Sequence, residues 1–171
     1  GFILFDDGGT PFTSGDESGI TFNSLAYGEL SSDRTSAILA DGSGRVWVGT
    51  DNGLNVVRGA YDSRARTFDV ESWRVYNNAN SALPSNVITA LGAGANDAVW
   101  VGTEEGIAQI DTRGEVAFVL NTSNSGLISN RVNSLLFDEE SELLWIGTLD
   151  GLSRLQVQLT DSTADGVAQI Y

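Results

Sequence analysis

The 171-residue sequence contains no cysteine, histidine, methionine or lysine, and only two prolines. Without cysteine the chain can form no disulfide bond and has no thiol nucleophile. Without histidine as well, zinc and other nitrogen- or sulfur-ligated metal sites are excluded, and so are Ser-His and Cys-His catalytic pairs. No apolar run approaches the roughly 20 residues that a membrane-spanning helix requires. We therefore expect no metal, no cofactor and no direct membrane insertion.

Basic residues are scarce, and all nine of them are arginines, against 23 acidic residues, so the net charge is −14. A nucleic acid requires a basic surface, so this class of partner is excluded. An acidic surface favours solubility and cationic partners.

The acidic segments 41–44 and 138–142 lack the ligand spacing of an EF-hand calcium loop. We interpret both segments as hairpin turns.

A phrase built around tryptophan occurs three times. Residues 46–50 read VWVGT, residues 99–103 read VWVGT and residues 144–148 read LWIGT, and each phrase is followed two residues later by Gly-Leu or Gly-Ile. The three tryptophans lie roughly 50 residues apart, a period typical of β-propeller blades. Aligned on tryptophan, each unit reads as four strands, of which the phrase is the second. The sequence thus predicts an all-β fold, a β-propeller fragment of four-stranded antiparallel blades.

The alignment divides the chain into half a blade and three whole blades. Residues 1–26 align with the third and fourth strands of the later units, and the whole blades follow at 27–78, 79–122 and 123–171. The fourth strands are expected at 20–25, 72–77, 116–121 and 167–171. The first two tryptophans of the repeat are further apart in sequence than the second and third. We assign the extra residues, around 60–67, to a long loop. Because the first unit lacks two inner strands, we expect the ring to be completed by further sequence or by another chain.

The repeated residues are predicted to be structural. Each tryptophan lies in mid-strand beside branched aliphatic residues, which favours packing between neighbouring blades over stacking on a sugar. The glycine and threonine that follow are expected to satisfy backbone groups at the strand end. The predicted structural residues are Trp47, Gly49, Thr50, Trp100, Gly102, Thr103, Trp145, Gly147 and Thr148.

Polar residues recur in two sets of loops that lie on one face of the blades. One set joins a fourth strand to the first strand of the next blade, and the other set joins second strands to third strands. We call this side of the blades the loop face. We predict that this face binds a ligand or partner. The candidate binding residues are Asp33, Arg34, Asn86, Asn130 and Arg131, with Asp51, Asn52, Glu104, Glu105 and Asp150 beside them. The alternative is that the Ser, Asn and Asp side chains only hold turns through bonds to the backbone. No pair of carboxylates stands out as a glycosidase site, and we predict no catalytic residues.

The repeat resembles that of the two-component regulator propeller family, whose units carry Trp-Ile-Gly-Thr followed by Gly-Leu. Residues 145–148 with Gly151 and Leu152 match this pattern best, while the other two units have valine in place of isoleucine. The resemblance implies an extracytoplasmic propeller without catalytic residues. In that family the propeller is often the sensory half of a bacterial hybrid regulator, and it also occurs in exported surface proteins.

Residues 167–171 also resemble the lead-in to the sorting domain of type IX secretion substrates, although the Pro-Asn-Pro segment that follows there is absent. Our first functional hypothesis is a non-catalytic recognition module of an exported bacterial protein, binding a protein or glycan through the loop face. The second is an extracytoplasmic ligand-sensing domain of a hybrid two-component regulator. The third is part of a propeller-based polysaccharide-degrading enzyme. All three place the chain at the cell surface, outside the cell or in the periplasm.

Overall fold

The computed structural model describes residues 1–6, 18–26, 28–62 and 64–157, and the backbone of residues 169–170. In this part of the chain fourteen strands form four antiparallel sheets, and a 3₁₀ turn at Ala95–Asp97 is the only helix. The half-blade consists of β1 (Phe2–Asp6) and β2 (Ser18–Phe22). The predicted all-β fold is confirmed.

Each of the three remaining sheets has four strands that follow one another in chain order. Blade 1 contains β3 (Thr35–Ala40), β4 (Arg45–Thr50), β5 (Gly53–Asp62) and β6 (Thr67–Tyr76). Blade 2 contains β7 (Ile88–Ala93), β8 (Val99–Thr103), β9 (Gly106–Ile110) and β10 (Val116–Leu120). Blade 3 contains β11 (Val132–Asp138), β12 (Leu143–Thr148), β13 (Gly151–Gln156) and β14 (Gln169–Ile170).

The turn between the second and third strands is closed in the same way in every blade. Thr50 Oγ1 donates to the carbonyl oxygen of Gly53 at 2.8 Å, and the same bond recurs at Thr103 and at Thr148. Gly53 has a φ of +124°, where a side chain would be strained, and a Cβ there would lie 2.7 Å from the Tyr76 carbonyl oxygen. The threonine and the second glycine of the repeat are therefore both required by this turn.

Neighbouring blades meet where a glycine of one faces a β-branched residue of the next. A Cβ on Gly49 would lie 2.6 Å from Ile88 Cγ2, and a Cβ on Gly102 would lie 2.6 Å from Val132 Cγ1. Ile88 and Val132 are the first residues of β7 and β11, the inner strands of the following blades. The absence of a side chain at the glycine lets the two sheets approach each other closely.

This close approach buries the tryptophans of the first two whole blades. Trp47 is 1% exposed and lies in the core between blades 1 and 2, while Trp100 is fully buried between blades 2 and 3. Trp145 is only half-buried. Its neighbour Leu152 is 62% exposed, although the aligned Leu54 and Ile107 are 0% exposed. Within the described residues no sheet packs on this flank of blade 3, so the predicted packing of Trp145 between two blades is not seen.

The predicted long loop around residues 60–67 is instead an extension of two strands, and the prediction was wrong. β5 continues to Asp62 and β6 begins at Thr67, and Tyr61 lies opposite Phe68 in the ladder. The aromatic pair favours strand pairing. The Phe68 ring also meets the Phe22 ring edge-on at 5.5 Å, so the extended hairpin covers the half-blade.

The fourth strands of the half-blade and of blade 3 were predicted at 20–25 and 167–171. β2 ends at Phe22, earlier than predicted, because residues 23–26 form a turn in which Asn23 Oδ1 accepts the N–H groups of Leu25 and Ala26. Of the strand predicted at 167–171, the structure shows Gln169–Ile170, and the other three residues lie outside the described part.

Substituting Gly102→Ala should destabilise the fold by about 1–3 kcal/mol, because the added methyl group overpacks the contact with Val132. Denaturant-induced unfolding measures the change. Gly28→Ala is the matched control, since a Cβ at Gly28 meets nothing within 4 Å. Equal unfolding free energies for both variants would contradict the proposed blade contact.

Candidate functional site

A β-bulge interrupts the inner strand of every whole blade at its loop-face end. The register of the ladder shifts between Thr35 and Ala37 in blade 1, and the same shift occurs at the aligned positions of blades 2 and 3. The residues within the shifts are Ser36, Thr89 and Asn133. Bulges redirect a side chain and are common beside functional sites. These three polar side chains lie at one end of adjacent inner strands.

The three bulge residues line a shallow depression of about 400 Å³ that extends over blades 1, 2 and 3. Two ion pairs border it. Arg34 Nε lies 3.3 Å from Asp51 Oδ2 within blade 1, and Arg131 Nη1 of blade 3 lies 2.9 Å from Glu104 Oε1 of blade 2. We call this surface the axial depression; its lining residues are Arg34, Thr35, Ser36, Asp51, Val87, Ile88, Thr89, Glu104, Arg131 and Asn133.

The polar groups of the axial depression differ in how far the fold engages them. Ser36 Oγ donates to the Ile88 carbonyl oxygen at 2.6 Å and so joins blades 1 and 2. Thr89 Oγ1 is buried without a hydrogen-bond partner among the described residues. The Arg34 side chain is 87% exposed and its pairing with Asp51 uses one of five N–H donors. The depression therefore presents the exposed guanidinium donors of Arg34 and Arg131 and the exposed Asn133 amide.

The other three predicted binding residues hold loops. Asp33 Oδ1 accepts the backbone N–H of Ser24 at 2.7 Å. Asn86 Oδ1 accepts the N–H of Asn78 at 2.7 Å, and Asn130 Oδ1 accepts that of Thr122 at 2.8 Å. In each case the side chain ties the loop after a fourth strand to the start of the next blade. Of the five candidates, only Arg34 and Arg131 line the axial depression, and binding by any of them stays a prediction.

The residues beside these candidates divide in the same way. Asp51 and Glu104 line the axial depression, whereas Asn52 Nδ2 donates to the Ser31 carbonyl oxygen at 3.1 Å. Glu105 and Asp150 are not among the lining residues. The bulge residues were not predicted, because their only signal in the sequence is a Ser, Thr or Asn at the same aligned position of each repeat.

The opposite loop face carries a partly buried carboxylate, Asp41. Its Oδ2 accepts hydrogen bonds from Trp47 Nε1 at 2.8 Å and from Arg45 Nε at 2.6 Å. Burial acts to raise the pKa of Asp41, but the hydrogen bonds from Trp47 and Arg45 outweigh it and hold the pKa below its ordinary value. Asp41 is thus a structural anion.

The part of the chain that the structure describes contains no cluster of three or more acidic side chains that could hold a metal ion.

Residues 29–52, which include β3 and β4, match the model of the family described as two component regulator propeller. The resemblance found in the sequence is therefore confirmed. The match falls on the repeat of Trp47, although the repeat of Trp145 contains the residues closest to the family phrase. No curated protein sequence matches the chain significantly.

Solved propellers have the same fold at low sequence identity. The extracellular domain of a hybrid two component system from B. thetaiotaomicron is 20% identical with a TM-score of 0.58, over 79% of this chain and 17% of that one. PorZ, a surface component of the type-IX secretion system of Porphyromonas gingivalis, is 23% identical with a TM-score of 0.70, over 95% of this chain and 23% of that one. The chain thus spans about a fifth of the length of these proteins. None of the described helices is long and apolar enough to cross a membrane.

Asp33→Asn should make the free energy of unfolding less sensitive to acid while keeping the conformation of the loop. The backbone N–H and hydroxyl groups of Ser24 hold the pKa of Asp33 below its ordinary value. This stabilisation is therefore present above the unfolded pKa of about 3.9 and is lost as the pH falls below it. Asparagine accepts the same N–H bond at any pH, as Asn86 and Asn130 do.

The measurement is the unfolding free energy between pH 6 and pH 3. The wild type should lose more stability over this interval than Asp33→Asn does. Asp150→Asn, which removes one negative charge from an exposed position on the same face, serves as the control for the change in net charge. If Asp33→Asn and the wild type lose stability equally, the carboxylate does not hold this loop.

Proposed function

We propose that the chain is a non-catalytic recognition module of an exported bacterial protein and binds a protein or a glycan through the axial depression. The proposal is supported by the set of exposed polar groups which three adjacent blades bring to one place. Arg34 and Arg131 supply charged donors from blades 1 and 3. Asn133 adds an exposed amide, and Glu104 of blade 2 adds a carboxylate. A polar partner that matches these groups gains charge-assisted hydrogen bonds.

The carboxylates of the axial depression support a role in binding. Asp51 and Glu104 each lie beside a guanidinium group. Paired groups of both charge signs are suited to a partner that itself carries both donors and acceptors. No feature of the axial depression among the described residues favours a polysaccharide-degrading activity.

A second candidate is the ligand-sensing domain of a hybrid two-component regulator. It is supported by the match of residues 29–52 to the two component regulator propeller model. In this case the same depression would receive the signal molecule. Both proposals place the chain outside the cytoplasm.

The double variant Arg34→Glu/Arg131→Glu should bind its partner at least about tenfold more weakly, since hydrogen bonds to charged groups contribute about 1.5–3 kcal/mol each. Glycan arrays and cross-linking to cell-surface proteins identify the partner, and titration of the purified partner then gives the affinities. Arg113→Glu is the matched control, because Arg113 lies on the opposite loop face and its side chain is 82% exposed.

Unchanged affinity in the double variant would contradict recognition through the axial depression. Turnover of a polysaccharide by the wild type would contradict the non-catalytic role.

A further inference from the structure

The turn between β4 and β5 contains Asn52, the only asparagine of the chain that is followed by glycine. An asparagine is modified without an enzyme when the backbone nitrogen of the next residue attacks its side-chain carbonyl carbon. Glycine as the next residue favours this attack, because it has no side chain to hinder the approach. Asn52 is exposed, so water can reach the reacting group. The turn therefore contains the groups that a deamidation site requires.

The nitrogen atom that would attack is held by the next blade. The backbone N–H of Gly53 donates to the carbonyl oxygen of Asn86 at 2.8 Å, and Gly53 is buried. Asn86 precedes β7, the inner strand of blade 2. Breaking this bond in the closed structure would leave a buried N–H group without a partner, which is unfavourable. The attack therefore requires the contact between blades 1 and 2 to open.

The leaving group of Asn52 is also held, in this case by blade 1 and the loop that leads into it. Asn52 Nδ2 donates to the carbonyl oxygen of Ser31 at 3.1 Å, and the backbone N–H of Asn52 donates to Thr50 Oγ1 at 3.1 Å. Deamidation removes Nδ2 and so ends the bond to Ser31. In the closed turn, both the attacking nitrogen and the leaving nitrogen are thus committed to other hydrogen bonds.

The product of deamidation is compatible with this turn, because the other two blades carry an acidic residue at the aligned position. These residues are Glu105 and Asp150. Both turns have the same bond from threonine to the glycine carbonyl oxygen. Their glycines also have positive φ values of +132° and +146°, as Gly53 does. A carboxylate in place of the Asn52 amide therefore does not require another turn conformation.

We propose that Asn52 is a deamidation site which the contact between blades 1 and 2 keeps closed. When the contact opens, the Gly53 nitrogen forms a bond to Asn52 Cγ, the bond from Cγ to Nδ2 breaks, and ammonia leaves with the Gly53 proton. Water then opens the cyclic imide and gives aspartate or isoaspartate. The new carboxylate lies beside Asp51, which lines the axial depression. The modification thus records blade opening as added negative charge, and it is independent of the binding function proposed above.

The experiment compares the complete chain with a synthetic peptide of residues 46–58 at neutral pH. Trypsin releases the same peptide from the chain, because Arg45 precedes it and Arg58 ends it. Mass spectrometry then follows the conversion of Asn52, and the fully buried Asn55 in the same peptide is an internal control. Asn52 should react at least about tenfold more slowly in the folded chain than in the free peptide, because each event requires local opening.

Two glycine variants test which contact controls the reaction. In Gly49→Ala the added Cβ would lie 2.6 Å from Ile88 Cγ2, which weakens the contact between blades 1 and 2 and should accelerate deamidation at least about fivefold. Gly102→Ala is the matched control, since it overpacks the contact between blades 2 and 3 at the same distance, and it should leave the rate unchanged.

Ser36→Ala is a milder variant of the same contact. It removes the hydrogen bond from Ser36 Oγ to the Ile88 carbonyl oxygen, which joins blades 1 and 2, and it should also accelerate the reaction. Circular dichroism verifies that each variant is folded.

The proposal is overturned if the free peptide does not react at Asn52, or if the folded chain reacts as fast as the peptide. It is also overturned if Gly102→Ala accelerates deamidation as much as Gly49→Ala, since the reaction then follows unfolding of the whole chain. Wild-type rates in the folded Gly49→Ala and Ser36→Ala variants would overturn it as well.

Discussion

The contact on which the rest of this structure depends is the close approach of a glycine in one blade to a β-branched residue in the next. A Cβ at Gly49 or Gly102 would lie 2.6 Å from the side chain that opens the following inner strand. This distance leaves no room for a side chain, so the glycine sets the separation of the sheets. The large tryptophan two residues earlier then fills the space between them. One small and one large residue thus define each interface.

The same contact creates the loop face. Because the sheets approach closely at the ends of their inner strands, the bulge residues of three blades come together in one depression. Ser36 then reaches the Ile88 carbonyl oxygen of blade 2, and Arg131 of blade 3 reaches Glu104 of blade 2. Neither bond could form within a single blade. The candidate recognition surface is therefore a product of blade packing.

Local signals in the sequence were sufficient for the blades and for the general position of the candidate site. The tryptophan phrase and its glycines specify a strand and a turn wherever they occur, so repetition made the fold predictable. The extension of β5 and β6 was missed because polar residues separate Tyr61 from Phe68, and the benefit of covering Phe22 arises only in the tertiary structure. The bulges were missed for a similar reason, since Ser36, Thr89 and Asn133 read as ordinary strand starts. Asp33, Asn86 and Asn130 were placed on the correct face, but their bonds to neighbouring loops depend on the spacing of the blades.

The most direct test of this account measures solvent access to each tryptophan in the complete chain. The protein is labelled with 5-fluorotryptophan, the four ¹⁹F resonances are assigned by single Trp→Phe substitutions, and a soluble paramagnetic agent is added. The account predicts that Trp47 and Trp100 relax slowly, because the following blade covers each ring, and that Trp145 relaxes faster. Equal relaxation of Trp100 and Trp145 would contradict the claim that the following blade, and not the tryptophan strand itself, buries the ring.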